Sequence, residues 1–218
     1  MSKKTPWISI EGVDGAGKSS HAETIVNFLK DEGYDVVSTR EPGGTELGER
    51  LREEILRTDM ALSTEVLLSF ASRAEHLDKV IRPALSEGRA VVCDRFTDST
   101  YAYQGGGKGY PLSSLLALET MVHGGENPDL TLIFDLPPVE SLRRLGGTGK
   151  DPDKFERQDR KFFEDVRAEY LSRAQNDPGR IRIVSSEPPL PEVKENVLVE
   201  LRAFMARFKN DNKSSFKI

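Results

Sequence analysis

Apolar residues fall along this chain in five short runs, separated by longer stretches of helical period. The runs are Trp7-Ile8-Ser9-Ile10, Val36-Val37-Ser38, Ala90-Val91-Val92-Cys93, Leu130-Thr131-Leu132-Ile133-Phe134 and Ile181-Arg182-Ile183-Val184. Each is short, β-branched or apolar, and reads as a strand. Between them apolar residues recur at spacings of three and four. Ala22, Ile25, Val26 and Leu29 mark one helix over 20–30, and Val66, Phe70, Leu77, Val80 and Ala84 mark a long one after Ser63. Phe155, Phe162, Val166 and Tyr170 mark another, and Val193, Val197, Leu201, Met205 and Phe208 form the stripe of a last helix from Pro191. This alternation predicts an α/β domain: a five-stranded parallel sheet flanked by helices in three layers.

In such sheets ligands bind outside the carboxyl ends of the strands. After the first strand comes Gly12-Val13-Asp14-Gly15-Ala16-Gly17-Lys18-Ser19, which fits G-x-x-x-x-G-K-[ST], the phosphate-binding P-loop. Its glycines let backbone N–H groups approach a polyphosphate, and the following helix adds a partial positive charge. Gly12 to Ser20 is therefore the expected site for a nucleotide's phosphates. Lys18 is expected to reach the β- and γ-phosphates, and the Ser19 hydroxyl to ligate Mg²⁺. The fold class sharpens to a P-loop NTPase-type domain with a small lid segment, one unit over residues 1–218.

The other strand ends supply Arg40-Glu41-Pro42-Gly43-Gly44 and Asp94-Arg95-Phe96. Asp94, closing an apolar strand, suits a metal-organising acid beside Ser19, and Arg95 suits a bidentate phosphate contact. Arg73 falls on the apolar face of the long helix, where a charge needs either an internal carboxylate or a ligand. Ser99, Thr100, Tyr103 and Gln104 follow Arg95 and suit hydrogen bonding to a base and sugar. Residues 142–160 are charged and glycine-rich and suggest a lid over the phosphates, with Arg144, Lys150, Lys154 and Arg157 as candidate cations. The polar stretch from Lys209 to the end reads as a frayed tail.

Composition narrows the field. With 218 residues and a net charge of −5, the chain suits one medium-sized domain with no global basic field for nucleic acid. No apolar run approaches a membrane span, and the first residues run straight into a strand, so neither an anchor nor a secretory leader is expected. The lone Cys93 lies in an apolar strand and reads as a core thiol; a cytoplasmic location is expected. His21, His76 and His123 receive no role. A GTPase switch would need N-K-x-D, which the chain lacks. A nucleoside kinase would place a carboxylate base where Arg40 and Arg95 converge.

Arg40-Glu41-Pro42-Gly43-Gly44, Asp94-Arg95-Phe96 and Ser99-Thr100-Tyr101-Ala102-Tyr103-Gln104-Gly105, together with the P-loop, resemble the bacterial thymidylate kinase family of nucleoside monophosphate kinases. The resemblance covers nearly the whole chain. It implies transfer of the γ-phosphoryl group of ATP to dTMP with Mg²⁺ as cofactor, in a homodimer. It implies that Phe70 stacks on the thymine, Arg73 hydrogen-bonds the base, and Thr100 and Gln104 line base and sugar. Arg40 and Arg95 would hold the acceptor phosphate, and Asp14 the sugar 3′-hydroxyl. Lys18, Arg95, Asp14 and one lid cation, with Arg157 the one placed among them, would form the catalytic set. Two departures stand out. Phe70 precedes Arg73 by three positions rather than four, and Gly146-Gly147-Thr148-Gly149 occupies a usually arginine-rich stretch of the lid.

Overall fold

The structure, a computed structural model, describes residues 5–146 and 153–214. Five strands, β1 (Trp7–Glu11), β2 (Val36–Arg40), β3 (Ala90–Asp94), β4 (Leu130–Asp135) and β5 (Ile181–Ser185), form one parallel sheet in the order β2-β3-β1-β4-β5. The strand runs read from the apolar pattern all form, each within two residues at either end. β1, β3 and β4 are buried along nearly their whole length, which is why they read as continuous apolar runs.

Helices cover both faces. They are α1 (Lys18–Asp31), α2 (Glu46–Arg57), α3 (Leu62–His76), α4 (Arg82–Ser86), α5 (Thr97–Thr100), α6 (Leu112–His123), α7 (Pro138–Gly146), α8 (Arg160–Asn176) and α9 (Leu190–Ser214). Alternation along β1 divides the packing. Ile8 and Ile10 face the large core built with Ile25, Leu132, Phe163 and Leu201, while Trp7 packs with Leu77, Ile81, Val91 and Phe96 on the other side. Glu11 is on the same side of the strand as Trp7 and Ser9, and it is fully buried at the strand's end.

Three expectations need correction. The long helix is not uniform: Leu77–Ile81 forms a π-helical turn between α3 and α4. The wider turn carries Ile81 rather than Val80 into the core, and Val80 is only half-buried. Phe155 does not belong to the helix with Phe162; it lies in a turn before α8, whose N-terminus is capped by Asp159 accepting from the Phe162 amide at 2.8 Å. The polar stretch from Lys209 continues α9 as far as Ser214, with Lys209 paired to Glu32.

The register brings the site to one edge. Arg40 lies opposite Asp94, and Asp94 opposite Ile10. The P-loop, the Glu41 turn and Arg95 therefore leave the sheet side by side.

Candidate functional site

Glycine shapes the P-loop. Gly12 (φ 132°), Gly15 (φ 79°) and Gly17 (φ 82°) all have positive φ, and a Cβ on Gly12 would collide with the Phe134 carbonyl. Gly17 turns the chain into α1, where Lys18 and the exposed Ser19 take the first two helical positions. Lys18 is buried; its ammonium donates to the carbonyls of Gly12 and Val13 at 3.0 Å and lies 3.6 Å from Asp14. Burial and nearby Arg95 lower its pKa against the pull of Asp14, Asp94 and Glu11. Val13 and Ala16 are buried in the core and hold the loop from beneath, and Ser20 is exposed on α1.

Arg95 is the centre of the next layer. It is the non-glycine residue with positive φ among those described (φ 70°), and its amide donates to Ile10 O at 2.8 Å. That turn sends the guanidinium back over the P-loop. It donates to Gly12 O at 3.0 Å, Ser99 Oγ at 3.2 Å, the hydroxyls of Tyr103 and Tyr170 at 3.2 and 3.3 Å, and the Asp14 carboxylate. Burial opposes ionisation of Asp14, but Arg95, Lys18 and the Tyr103 hydroxyl outweigh it and hold the carboxyl down at about 2.

Beneath Arg95 lies Glu11, which no motif singled out. Its carboxylate accepts from the Phe96 amide at 2.7 Å, Ser99 Oγ at 2.5 Å and the Tyr170 hydroxyl at 3.0 Å. Burial, and secondly the charge of Asp98, push its pKa up to about 7. Asp98 is held as an anion by Arg173 and by Arg180 at 2.7 Å.

One cavity opens beside the P-loop. Asp14, Arg52, Ser69, Arg73, Arg95, Ser99, Thr100, Tyr103 and Gln104 line it, with Glu41 and the rings of Phe96 and Phe155. The sequence thus brings together Asp14, Arg73, Arg95, Ser99, Thr100, Tyr103 and Gln104. Arg73 finds the internal carboxylate that its apolar face calls for: it donates to Glu41 at 2.7 Å and to Thr100 Oγ1 at 2.9 Å, and its buried Nη1 has no hydrogen-bond partner. His76 completes this network, bonding Glu41 at 2.9 Å and Thr39 at 2.7 Å.

Phe70 and Arg40 are not on the cavity wall. Phe70 is 2% exposed and packs with Val66, Tyr101 and Leu115, its ring under the Arg73 guanidinium at 4.9 Å. The residue four before Arg73, one helical turn away, is Ser69, and Ser69 faces the cavity instead. Arg40 lies at the surface, paired with Glu49 at 2.8 Å. Arg52 of α2 lines the cavity instead, and it donates to Pro42 O at 2.9 Å. Burial, then the charges of Arg40 and Arg95, disfavour the Arg52 cation, so three guanidinium groups share one field.

The lid candidates separate. Arg144 reaches the P-loop, donating to Gly15 O at 3.3 Å and to Ser186 O at 2.9 Å. Lys154 is ion-paired with Glu65 at 2.8 Å, away from the P-loop. Arg157 is in the exposed part of the turn before α8, its amide donating to Asp153 O at 3.1 Å. Lys150 lies outside the described residues. Among those described, no cluster of three or more acids, histidines or cysteines forms a cation cage. Asp94 has one buried carboxylate oxygen with no hydrogen-bond partner.

A family model for thymidylate kinase matches residues 10–197. The thymidylate kinase of Methylobacillus flagellatus is 51% identical over 200 residues, which span 92% of this chain and 98% of the relative. That of Bordetella petrii is 51% identical over 203 residues, 93% of this chain and 98% of its own. The crystal structure of thymidylate kinase from Ehrlichia chaffeensis superposes with a TM-score of 0.75 at 32% identity, covering 91% of this chain and 99% of that one.

Proposed function

The chain belongs to the thymidylate kinase family, and from that premise we infer that it transfers the γ-phosphoryl group of ATP to dTMP, giving dTDP and ADP. One observation carries the acceptor side: guanidinium groups line the cavity where every carboxylate is already engaged. Asp14 is held at about 2 and is too weak a base to deprotonate a sugar hydroxyl. Glu41 has one oxygen on Arg73 and the other on His76. Such a site suits an acceptor that arrives as an anion and needs no base, which is a phosphate.

The remaining obstacle is repulsion between two polyanions. In-line positioning and electrostatic stabilisation carry most of phosphoryl transfer. We assign the donor phosphates to the P-loop amides and Lys18, with Arg144 on the outer side of the loop. Arg95 and Arg52 take the acceptor phosphate, and Asp14 accepts from the acceptor's sugar hydroxyl. Arg73, Thr100 and Gln104 face the base, with the rings of Phe96 and Phe155 as the apolar wall. Mg²⁺ fits the donor set of Ser19 and Asp94, because Asp94 keeps an unsatisfied buried oxygen and Ser19 an exposed hydroxyl; when bound it would neutralise charge on the donor phosphates.

We also place the chain in the cytoplasm as a homodimer. A free buried Cys93 fits a reducing compartment, and no described helix is long and apolar enough to cross a membrane. Exposed Leu67 on α3 and Leu112, Leu116 and Met121 on the adjoining α6 support a subunit contact.

The experiment is an ADP-release assay with ATP and Mg²⁺ across dTMP, dUMP, dCMP, AMP, GMP and thymidine. Strong preference for dTMP is expected, and Arg95→Ala should lower kcat/KM by about 10²–10³-fold, as loss of a charge-stabilising donor does. Preference for thymidine, or near-normal turnover in Arg95→Ala, would overturn the assignment.

A further inference from the structure

Glu65 belongs to no motif, yet it is 1% exposed in the first turn of α3. A carboxylate so buried is costly unless its oxygens are filled. Oε1 accepts from Gln104 Nε2 at 2.9 Å and Lys108 Nζ at 2.8 Å, and Oε2 accepts from Lys108 and Lys154 at 2.8 Å. Burial works against its charge, and these donors together lower its pKa nonetheless. The partners come from two separate segments: the π-helical segment Tyr101–Gly107, which carries Gln104 to the cavity wall and ends at Lys108, and the turn that begins at Asp153.

We propose that Glu65 is a positioning residue for the acceptor, a clamp that fastens the 153–159 turn to the cavity and fixes the amide of Gln104. The proposal rests on reading the cavity as the acceptor site. A carboxylate only accepts hydrogen bonds, so Gln104 must turn its NH₂ toward Glu65, which sets the amide's orientation at the cavity wall. Through Lys154 the same carboxylate fixes the next residue, Phe155. Its ring lines the cavity edge-on to Tyr103, at 5.8 Å, and Lys108 and Lys154 lie 4.5 and 5.4 Å from its centroid. Two further bonds hold Lys154 down: its amide donates to Leu56 O at 3.4 Å and its ammonium to Thr58 O at 3.2 Å.

Charge explains why the clamp works in one direction. Both ammonium groups press against the same Glu65 oxygen. Without the negative charge they repel, and Lys154, on the less buried of the two segments, is the one that leaves. It takes Phe155 with it, while Gln104 becomes free to flip. The donor site around Lys18 is untouched by these changes.

The test compares Glu65→Gln, Lys154→Met and the double variant by steady-state kinetics. Glu65→Gln should raise KM for the acceptor about tenfold, equivalent to one charge-assisted hydrogen bond, with kcat within about twofold and KM for ATP unchanged. Lys154→Met, which leaves Lys108 and Gln104 on the Glu65 carboxylate, should raise acceptor KM less. The double variant should be no worse than Glu65→Gln, because it also removes the orphaned charge. Unchanged acceptor KM in both single variants, an equal rise in KM for ATP, or additive losses would overturn the clamp. The wild-type preference for dTMP tests the cavity reading separately, since the variant-to-wild-type ratio can be measured on whichever monophosphate the wild type takes.

Discussion

Arg95 holds a backbone conformation that costs an L side chain about 1–3 kcal/mol, and the reason is visible in what the turn brings about. It lets one guanidinium touch the P-loop, Asp14, Ser99 and two tyrosines at once. Glu11 stabilises the turn from below by accepting the Phe96 amide and the Ser99 hydroxyl. That support is pH-dependent. Burial, then Asp98, raise the Glu11 pKa from 4.5 to about 7, so the folded state favours the protonated acid. Its contribution to stability is complete below about pH 4.5 and is lost as pH rises through about 7. Asp98 behaves oppositely: burial works against its charge, but Arg173 and Arg180 hold it at about 2, so its contribution is present above the ordinary carboxylate range and fades only as pH falls toward 2. Between pH 5 and 8 Glu11 alone of this pair titrates. Thermal melts of Glu11→Gln should therefore show a flatter Tm across that window than the wild type. A wild-type Tm that climbs from pH 5 to 8, or a variant with the same slope, would remove Glu11 from this role.

At the scale of elements, legibility followed how local each signal was. All five strands were readable: β1, β3 and β4 are buried on both faces and must be apolar runs, and the edge strands β2 and β5, though partly exposed, are rich in β-branched residues. The P-loop was readable because its conformation demands glycines at set positions. Gly12→Ala tests this: a Cβ there meets a backbone carbonyl of β4, which cannot rotate away. The variant is expected to lose ATP binding in calorimetry and to melt lower, whereas Gly33→Ala, at a turn where a Cβ meets nothing, should keep ATP affinity; equal affinities in the two would show the loop to be more pliant than its geometry implies. What was not readable was chosen by tertiary contact. Arg73 could be placed on an apolar face, but its partner Glu41 lies 32 residues away on another strand's exit. Glu11, Arg52 and Glu65 looked like ordinary polar positions of a strand end and two helices. Phe70 does lie on the apolar stripe of α3 with Val66, but not on the cavity wall: one residue along a helix is a rotation of about 100°, enough to put Ser69 at the wall and Phe70 in the core. The π-helical turn at Leu77–Ile81 escaped for a similar reason: it changes the period that the pattern assumes.

For the molecule as a whole, the acids and bases inside are nearly all spent on each other, and the outer apolar surface is where something remains to be covered. Leu112 and Leu116, four residues apart on α6, are 46% and 57% exposed, and Leu67 on the neighbouring α3 is 55% exposed. Side chains of this size gain about 1.5–3 kcal/mol each when buried, so a few of them across a twofold axis, counted on both subunits, would supply the apolar centre of the proposed dimer. The same helix α3 carries Ser69 and Arg73 to the cavity on its other side. A subunit contact on α3 would therefore brace the wall proposed to recognise the acceptor, and dissociation should be felt there before it is felt at the P-loop. Leu116→Glu is the variant that separates these effects, since it lies on α6, outside the cavity. Sedimentation velocity should show the wild type as a dimer and Leu116→Glu as a monomer with unchanged far-ultraviolet circular dichroism. Acceptor KM should rise in the monomer while KM for ATP holds. A variant that sediments like the wild type would place the subunit contact elsewhere, and a monomer with unaltered acceptor KM would mean that α3 needs no partner to hold its residues in place.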